Sequence, residues 1–349
     1  MNLLHQDANL LEVHHLKKYF PIRRGILGKV VGEIQAVNDI TLAIAGGETF
    51  GLVGESGCGK STAARTILRL IEPSDGTILF RSHILAPTGK SSIEIDVTTL
   101  SKKLLKKLRR DMQIIYQDPY SSLNPRMTVL DIIAEPLQVH EEEKGQALQD
   151  RVGDLLIAVG LKPEHMNRYP HEFSGGQRQR IGIARALALH PQLIIADEPV
   201  SALDVSVQAQ VLNLLQELQE NFRLTYLFIS HDLSVVRHIS TRVAVMYLGQ
   251  IFEMAGTDDL FGAPKHPYTE ALMTAVPVPN PDLMTSYVQL QGEVGNPANP
   301  PAGCTFHPRC AYAQGICGEE RPEYSTVGEE HFVKCHFADT LELKGIGGT

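Results

Sequence analysis

The chain is predicted to fold as an α/β protein with a P-loop core, a β subdomain and an inserted helical subdomain, and three observations predict it. The apolar run TFGLV enters a glycine-rich turn, GESGCGKST at Gly54–Thr62, which AARTILRL leaves as a helix. A strand, a Gly-rich turn and a helix start form the context in which G-x-x-x-x-G-K-[ST] cradles a phosphate. Over a hundred residues later a second apolar strand, LIIA, ends in Asp197 and Glu198. Two further short apolar runs, MQIIY and TYLFIS, end at Gln117 and His231. Buried strands alternating with helices in this way build a parallel sheet.

In the P-loop, Gly57 and Gly59 let successive backbone N–H groups curl around an anion, and the helix beginning near Lys60 turns its positive end to the same point. Lys60 reaches the β- and γ-phosphates, Ser61 offers its hydroxyl to Mg²⁺, and Thr62 adds one near the α-phosphate. Gly54, Ser56 and Cys58 complete the loop, Cys58 at a freely variable position that needs only a small side chain. Asp197 is placed to hold Mg²⁺, mostly through water, and Glu198 to act as general base on an attacking water. Gln117 and His231 end strands expected beside the P-loop strand, where such folds bind ligands. Gln117 would ligate Mg²⁺ and sense the γ-phosphate; His231 would hydrogen-bond that phosphate and the water. Each of these groups alone could merely end a strand at a solvated loop. Together with Lys60 and Ser61 they form one catalytic set.

Along the chain, LLEVHHLKKYF and AVNDITLAI are expected strands, the second closed by the turn AGGE. After the P-loop helix come the turn EPSDG and a strand in TILF, and residues 82–100, rich in Ser and Thr, suit a loop insertion. SKKLLKKLRR carries six basic residues, with Leu104, Leu105 and Leu108 spaced for one helical face. A solvated helix face explains this charge; a membrane surface or anionic partner is the alternative. DPYSSLNPR holds too much Pro and Ser for a helix, whereas TVLDIIAEPLQVH and ALQDRVGDLLIAVGL set apolar residues three and four apart. A helical subdomain is therefore expected at about 118–185. Within it Ser174, ahead of Gly175, Gly176 and Gln177, is a good N-cap and makes a second anion-facing helix terminus. SALD leads into the helix VQAQVLNLLQELQENF, and RVAVMY and QIFEMAG suit a hairpin across Leu248 and Gly249. Past Gly256 the composition shifts: a short helix lies in APKHPYTEALMTAVP, proline-rich linkers are expected at VPVPNPD and NPANPPAG, and a cysteine-rich segment follows. The expected division is a core over 10–256 and a small extension over 257–349.

The length of 349 residues suits two to three domain-sized units. A net charge of −8 and a pI near 6.0 leave no basic footprint, so nucleic acid is not an expected partner. No apolar run nears the length of a membrane span, and MNLLHQDANLLEV lacks a basic-then-apolar signal pattern, which points to the cytosol. Four of the five cysteines, Cys304, Cys310, Cys317 and Cys335, crowd into the last fifth of the chain. In a cytosolic protein that favours metal or cluster ligation over disulfides. Their spacing lacks the C-x₂-C pairs of structural zinc, and four thiolates suit either Zn²⁺ or an iron–sulfur cluster, with His307, His331 and His336 close enough in sequence to substitute.

GESGCGKST, YQDPYSSLNP, FSGGQRQR, LIIADEP, SALD and SHD, in that order, resemble the ATP-binding subunit of an ABC transporter over roughly residues 10–255. The resemblance implies hydrolysis of ATP with Mg²⁺ in a head-to-tail dimer. Two ATP molecules would lie between the P-loop of one subunit and the Ser174, Gly175, Gly176 and Gln177 segment of the other. By the same resemblance Asp204 contacts the opposite P-loop, and the aromatic that stacks on adenine falls at Phe20, with Tyr19 as the register alternative. Phe173 stands where many members carry Leu, an apolar exchange of little consequence. KHPYTEALMTAVP, then GCTFHPRC and two more cysteines, is similar to the extension of ATPases serving dipeptide and oligopeptide importers, whose relatives include glutathione and nickel systems.

That likeness implies two membrane permease subunits and, indirectly, an extracytoplasmic peptide-binding protein. It further implies a second ABC ATPase subunit, a paralogue in preference to an identical copy with both open on the sequence, a peripheral place on the cytoplasmic face of the membrane, and a [4Fe–4S] cluster on the four cysteines. The rival readings are a soluble ABC ATPase of translation or DNA metabolism, which would normally carry two cores or a long coiled-coil insertion, and a regulator whose cysteines sense oxidation.

Overall fold

The computed structural model describes residues 9–25, 28–140, 144–274, 292, 294–328 and 330–346. Strands β1 (Asn9–Arg24) and β2 (Lys29–Ala45) form an antiparallel ribbon. Strand β3 (Thr49–Val53), buried throughout, delivers the chain to the P-loop, and α1 (Lys60–Ile67) leaves it. Next, β4 (Asp75–Ser82) pairs with β1, and β5 (Ile93–Asp96) pairs with β4. The presence of β5 corrects the loop expected over 82–100: four residues carry too little pattern to signal a strand, and the β4 edge supplies the ladder that makes one. Helix α2 (Lys102–Leu108), capped by Ser101, buries Leu105 and Leu108 but leaves Leu104 41% exposed, so its apolar face is narrower than expected.

Strand β6 (Met112–Ile115) precedes the helical subdomain, where α3 (Val129–Val139), α4 (Gly145–Ala158) and α5 (Gly175–Leu187) pack on one another. There follow β7 (Leu193–Asp197), α6 (Val205–Phe222), β8 (Thr225–Ser230), α7 (Leu233–Ile239), β9 (Arg242–Tyr247) and β10 (Gln250–Gly256). Leu248 and Gly249 turn the β9–β10 hairpin with φ of 42° and 78°, the positive pair that a tight two-residue hairpin turn demands. Helices α8 (Thr257–Gly262), α9 (Pro267–Thr274) and α10 (Gly315–Glu319) and the two-residue strands β11 (Ser325–Thr326) and β12 (Phe332–Val333) end the fold.

One sheet runs β2-β1-β4-β5, the other β11-β12-β10-β9-β3-β8-β7-β6. In the larger sheet β9, β3, β8, β7 and β6 are parallel. Alternation along its strands divides the core. Tyr226 and Phe228 of β8 face a cluster shared with α3 to α6, while Leu227 and Ile229 face one shared with the smaller sheet around Leu11, Ile40 and Phe80.

Two expectations need correction. The β8 strand does flank β3, but β6 lies at the sheet edge with β7 and β8 between, so Gln117 reaches the site from the loop beyond its strand. The NPANPPAG segment is not a free linker, since Gln35 N–H donates to the Pro297 carbonyl at 3.0 Å and Gly295 N–H to Tyr247 Oη at 3.4 Å. Strand β12 pairs with β10 (Met254 opposite Phe332), so the cysteine-rich segment continues the main sheet. The VPVPNPD stretch lies outside the described residues.

Candidate nucleotide site

The C-terminal ends of β3, β7 and β8 converge on a cavity of about 450 Å³. Its floor is the P-loop from Ser56 to Thr62, and Gln117, Glu198 and His231 stand over it. Backbone geometry explains the glycines. Gly54, Gly57 and Gly59 hold φ of 154°, 78° and 110°, and a Cβ on Gly54 or Gly59 would come within 2.1 Å of the carbonyl of Met246 or Ala36. Lys60, 4% exposed, folds its Nζ back onto the carbonyls of Gly54 (2.6 Å) and Glu55 (3.0 Å), a pose from which it is aimed along the loop. Cys58 is buried beneath, and burial pushes its thiol up against the opposing pull of Lys60.

Ser61 Oγ donates to Asp197 Oδ1 at 2.7 Å, and Arg65 approaches the other oxygen at 3.9 Å. Burial raises the pKa of Asp197 despite both contacts. Glu198 is the centre of the facing set: its Oε2 accepts from Gln117 Nε2 at 2.8 Å and meets His231 Nδ1 at 3.0 Å. Glu198 also sits at φ +50°, uncommon for a residue with a Cβ and held here by its N–H bond to the Ile229 carbonyl. Three residues far apart in sequence are thus brought into one hydrogen-bonded unit above the phosphate cradle.

The remaining predicted residues lie elsewhere. Ser174 caps α5, accepting from Gln177 N–H at 3.4 Å while Gln177 Oε1 accepts from Ser174 N–H at 3.1 Å. Asp204 caps α6, where the Ser206 hydroxyl and the Val207 N–H hold its carboxyl below the usual range. Ser174, Gly175, Gly176, Gln177 and Asp204 do not line the cavity of their own chain. Nor do Tyr19 and Phe20: Tyr19 Oη donates to Asn38 Oδ1 at 2.7 Å, and the Lys18 ammonium lies 4.9 Å from the Phe20 ring centre. Their register partners on β2, Gln35 and Ile34, supply that wall instead, together with Ala36.

Sequence reasoning missed Leu248, Gly249 and Pro297, which also line the cavity, and Glu55, whose side chain pairs with Arg309. Only the Leu-Gly turn had a local signal; the Glu55 pair spans 254 positions. Cys304, Cys310, Cys317 and Cys335 line one small separate cavity with His266, His307 and His336. Burial, with the neighbouring thiols adding repulsion, pushes Cys310 up to about 12 and Cys335 up to about 11. His331 instead pairs with buried Glu253 at 2.7 Å. Among the described residues no three His, Cys, Asp or Glu side chains are arranged to hold a single metal ion.

A P-loop strand, then a second capped helix, then a Glu-centred facing set define a nucleotide-binding protein of the ABC class, and residues 37–201 match the family model described as ABC transporter. Residues 252–317 match the one described as Oligopeptide/dipeptide transporter, C-terminal region. The chain belongs to the family of oligopeptide transport ATP-binding proteins. It is 53% identical to AppF of Bacillus subtilis, over 95% of this chain and 98% of that one, and 48% identical to OppF of Salmonella typhimurium, over 97% and 99%. Among solved structures it is similar to the ATP-binding cassette MJ0796 in a dimeric post-hydrolysis state bound to ADP and Pi. That match has a TM-score of 0.59 and 28% identity, over 71% of this chain and 98% of that one. Among the described residues no helix is long and apolar enough to cross a membrane.

Proposed function

We propose that this chain hydrolyses ATP to drive uptake of oligopeptides or dipeptides through separate membrane subunits, with an extracytoplasmic binding protein delivering the peptide. The observation that carries the ATPase reading is Glu198, held by Gln117 and His231 over a P-loop cavity. The peptide reading rests on the C-terminal region and on near-full-length likeness to oligopeptide transport proteins.

Lys60 and the P-loop N–H groups bind the β- and γ-phosphates. Ser61 and Gln117, with Asp197 through water, would hold Mg²⁺, which when bound neutralises charge on those phosphates. The Ser61–Asp197 contact fits this role, since it sets a hydroxyl and a buried carboxylate side by side at the cradle. Glu198 takes a proton from water as it attacks the γ-phosphorus and the bond to ADP breaks; His231 orients that water and carboxylate. Ser174, Gly175, Gly176 and Gln177 would close on the γ-phosphate bound by a second ATPase subunit, a paralogue, and Asp204 would meet its P-loop. Phe20 or Tyr19 would pack against adenine after movement of the β1–β2 ribbon. The protein would then sit on the cytoplasmic face of the membrane.

The four-cysteine cavity would take a [4Fe–4S] cluster. A single tetrahedral ion at about 2.3 Å from each sulfur draws its ligands close together, whereas a cluster needs them spread around a common space. The support for the cluster is that the four thiols line one cavity. For the ATPase, Glu198→Gln is expected to keep ATP binding and to cut phosphate release about 10²- to 10⁴-fold. Near-normal turnover in that variant would overturn the assignment.

A further inference from the structure

Two side chains of the C-terminal segment close on one residue of the P-loop. The Arg309 guanidinium makes a bidentate pair with the Glu55 carboxylate (Nη1–Oε2 2.6 Å, Nη2–Oε1 3.0 Å), and Tyr268 Oη accepts from the Glu55 N–H at 2.9 Å. The Arg309 side chain is 7% exposed and that of Glu55 23%, so the pair is largely out of water, where a bidentate charged bond is strong and a lone carboxylate costly. The support beneath is rigid. Tyr268 is fully buried between Tyr247 and Phe306, with ring centres 4.8 and 5.2 Å away, and Arg309 lies over Tyr247.

Glu55 in turn touches the nucleotide machinery on its other side. Its carbonyl accepts from Lys60 Nζ at 3.0 Å, and its chain neighbour Ser56 lines the cavity. A free carboxylate in a loop that must enclose a triphosphate would repel the ligand. Paired with Arg309, that carboxylate is neutralised and its backbone is fixed.

We propose that Arg309 is a positioning residue for ATP binding: from outside the nucleotide-binding core it cancels the charge of Glu55 and holds the P-loop segment that orients Lys60. The proposal rests on the nucleotide reading above and places Arg309 in contact with neither substrate nor reacting atoms.

The test measures equilibrium binding of AMP, ADP and ATP with Mg²⁺ to the full chain. For Arg309→Ala, ATP affinity is expected to fall about tenfold, ADP less and AMP least, because the penalty follows ligand charge. Arg309→Lys should retain most of the affinity, and Glu55→Gln added to Arg309→Ala should restore it, which no purely structural loss would do. Unchanged ATP binding in Arg309→Ala, an equal loss across the three nucleotides, or a double variant as weak as the single one would each overturn the proposal. Should Arg309→Ala fail to fold, Glu55→Gln alone decides. Freed positive charge should tighten ATP relative to AMP, and the reverse order refutes the idea. A wild-type chain that binds none of the three nucleotides removes the nucleotide reading itself and the proposal with it, whereas wild-type binding with insensitive variants removes only the proposal.

Discussion

Replacing Gly176 by alanine sets two effects against each other, and the structure decides between them. Gly176 is the second residue of α5, and an alanine there gains up to about 1 kcal/mol of helix propensity. Its Cβ, however, would stand 2.3 Å from Val207 Cγ1 on α6, far inside van der Waals contact. Valine is stiff at χ1, so the methyl has nowhere inexpensive to turn, and overpacking of this kind costs about 1–3 kcal/mol. The clash wins, and Gly176→Ala is expected to lose about 1 kcal/mol net, or about 1–2 °C in Tm for a chain of this length. Two comparisons isolate the cause. Gly182→Ala lies in the same helix with nothing within 4 Å of the new Cβ and should gain about 0.5–1 kcal/mol. Val207→Ala should rescue Gly176→Ala beyond additivity by about 1 kcal/mol or more. Urea unfolding of the four variants measures all of this. A Gly176→Ala protein at least as stable as wild type would refute the packing argument and leave the glycine to function alone.

Burial lowers the pKa of His266 to about 3, and its Nδ1 accepts from the Tyr268 N–H at 3.0 Å. With its folded pKa below the unfolded value, the stability it contributes is present above about pH 6.5 and drains as pH falls towards 3, with a slope of up to about 1.4 kcal/mol per pH unit. Unfolding curves of wild type and His266→Gln across that range should differ in slope; parallel curves would contradict the assignment. Ser61→Ala removes the hydroxyl that donates to buried Asp197 and should cost about 1–3 kcal/mol in nucleotide-free unfolding, a loss that equal stability would disprove. Anaerobically purified protein should contain iron and sulfide in equal amounts, and Cys310→Ser should lose both; stoichiometric zinc in a colourless protein would exclude the cluster.

Much of the phosphate end of the site was legible because it is local. The Gly57, Gly59, Lys60 and Ser61 arrangement needs only one strand, one turn and one helix, and the largely apolar run TFGLV ahead of the loop already announces a buried strand. The meeting of Gln117, Glu198 and His231 was half legible. Each ends an apolar run, yet the edge position of β6 follows from strand order, which no run of residues encodes by itself. Strand β5 is not legible because its four residues acquire their ladder from β4, and NPANPPAG reads as a linker because proline content says nothing of the Gln35 N–H waiting for the Pro297 carbonyl.

Sequence alone determined the parts whose physics closes within a few residues: the glycine turn between β3 and α1, the helix cap at Ser174, and the Leu248–Gly249 hairpin. Tertiary structure alone decided the pairing of Glu55 with Arg309, the gathering of four cysteines on one cavity, and the absence of the Ser174 helix from its own chain's nucleotide cavity. Hydrogen bonds within a turn depend on neighbours along the chain, whereas ion pairs and cavities depend on which distant surfaces the packed sheet brings together.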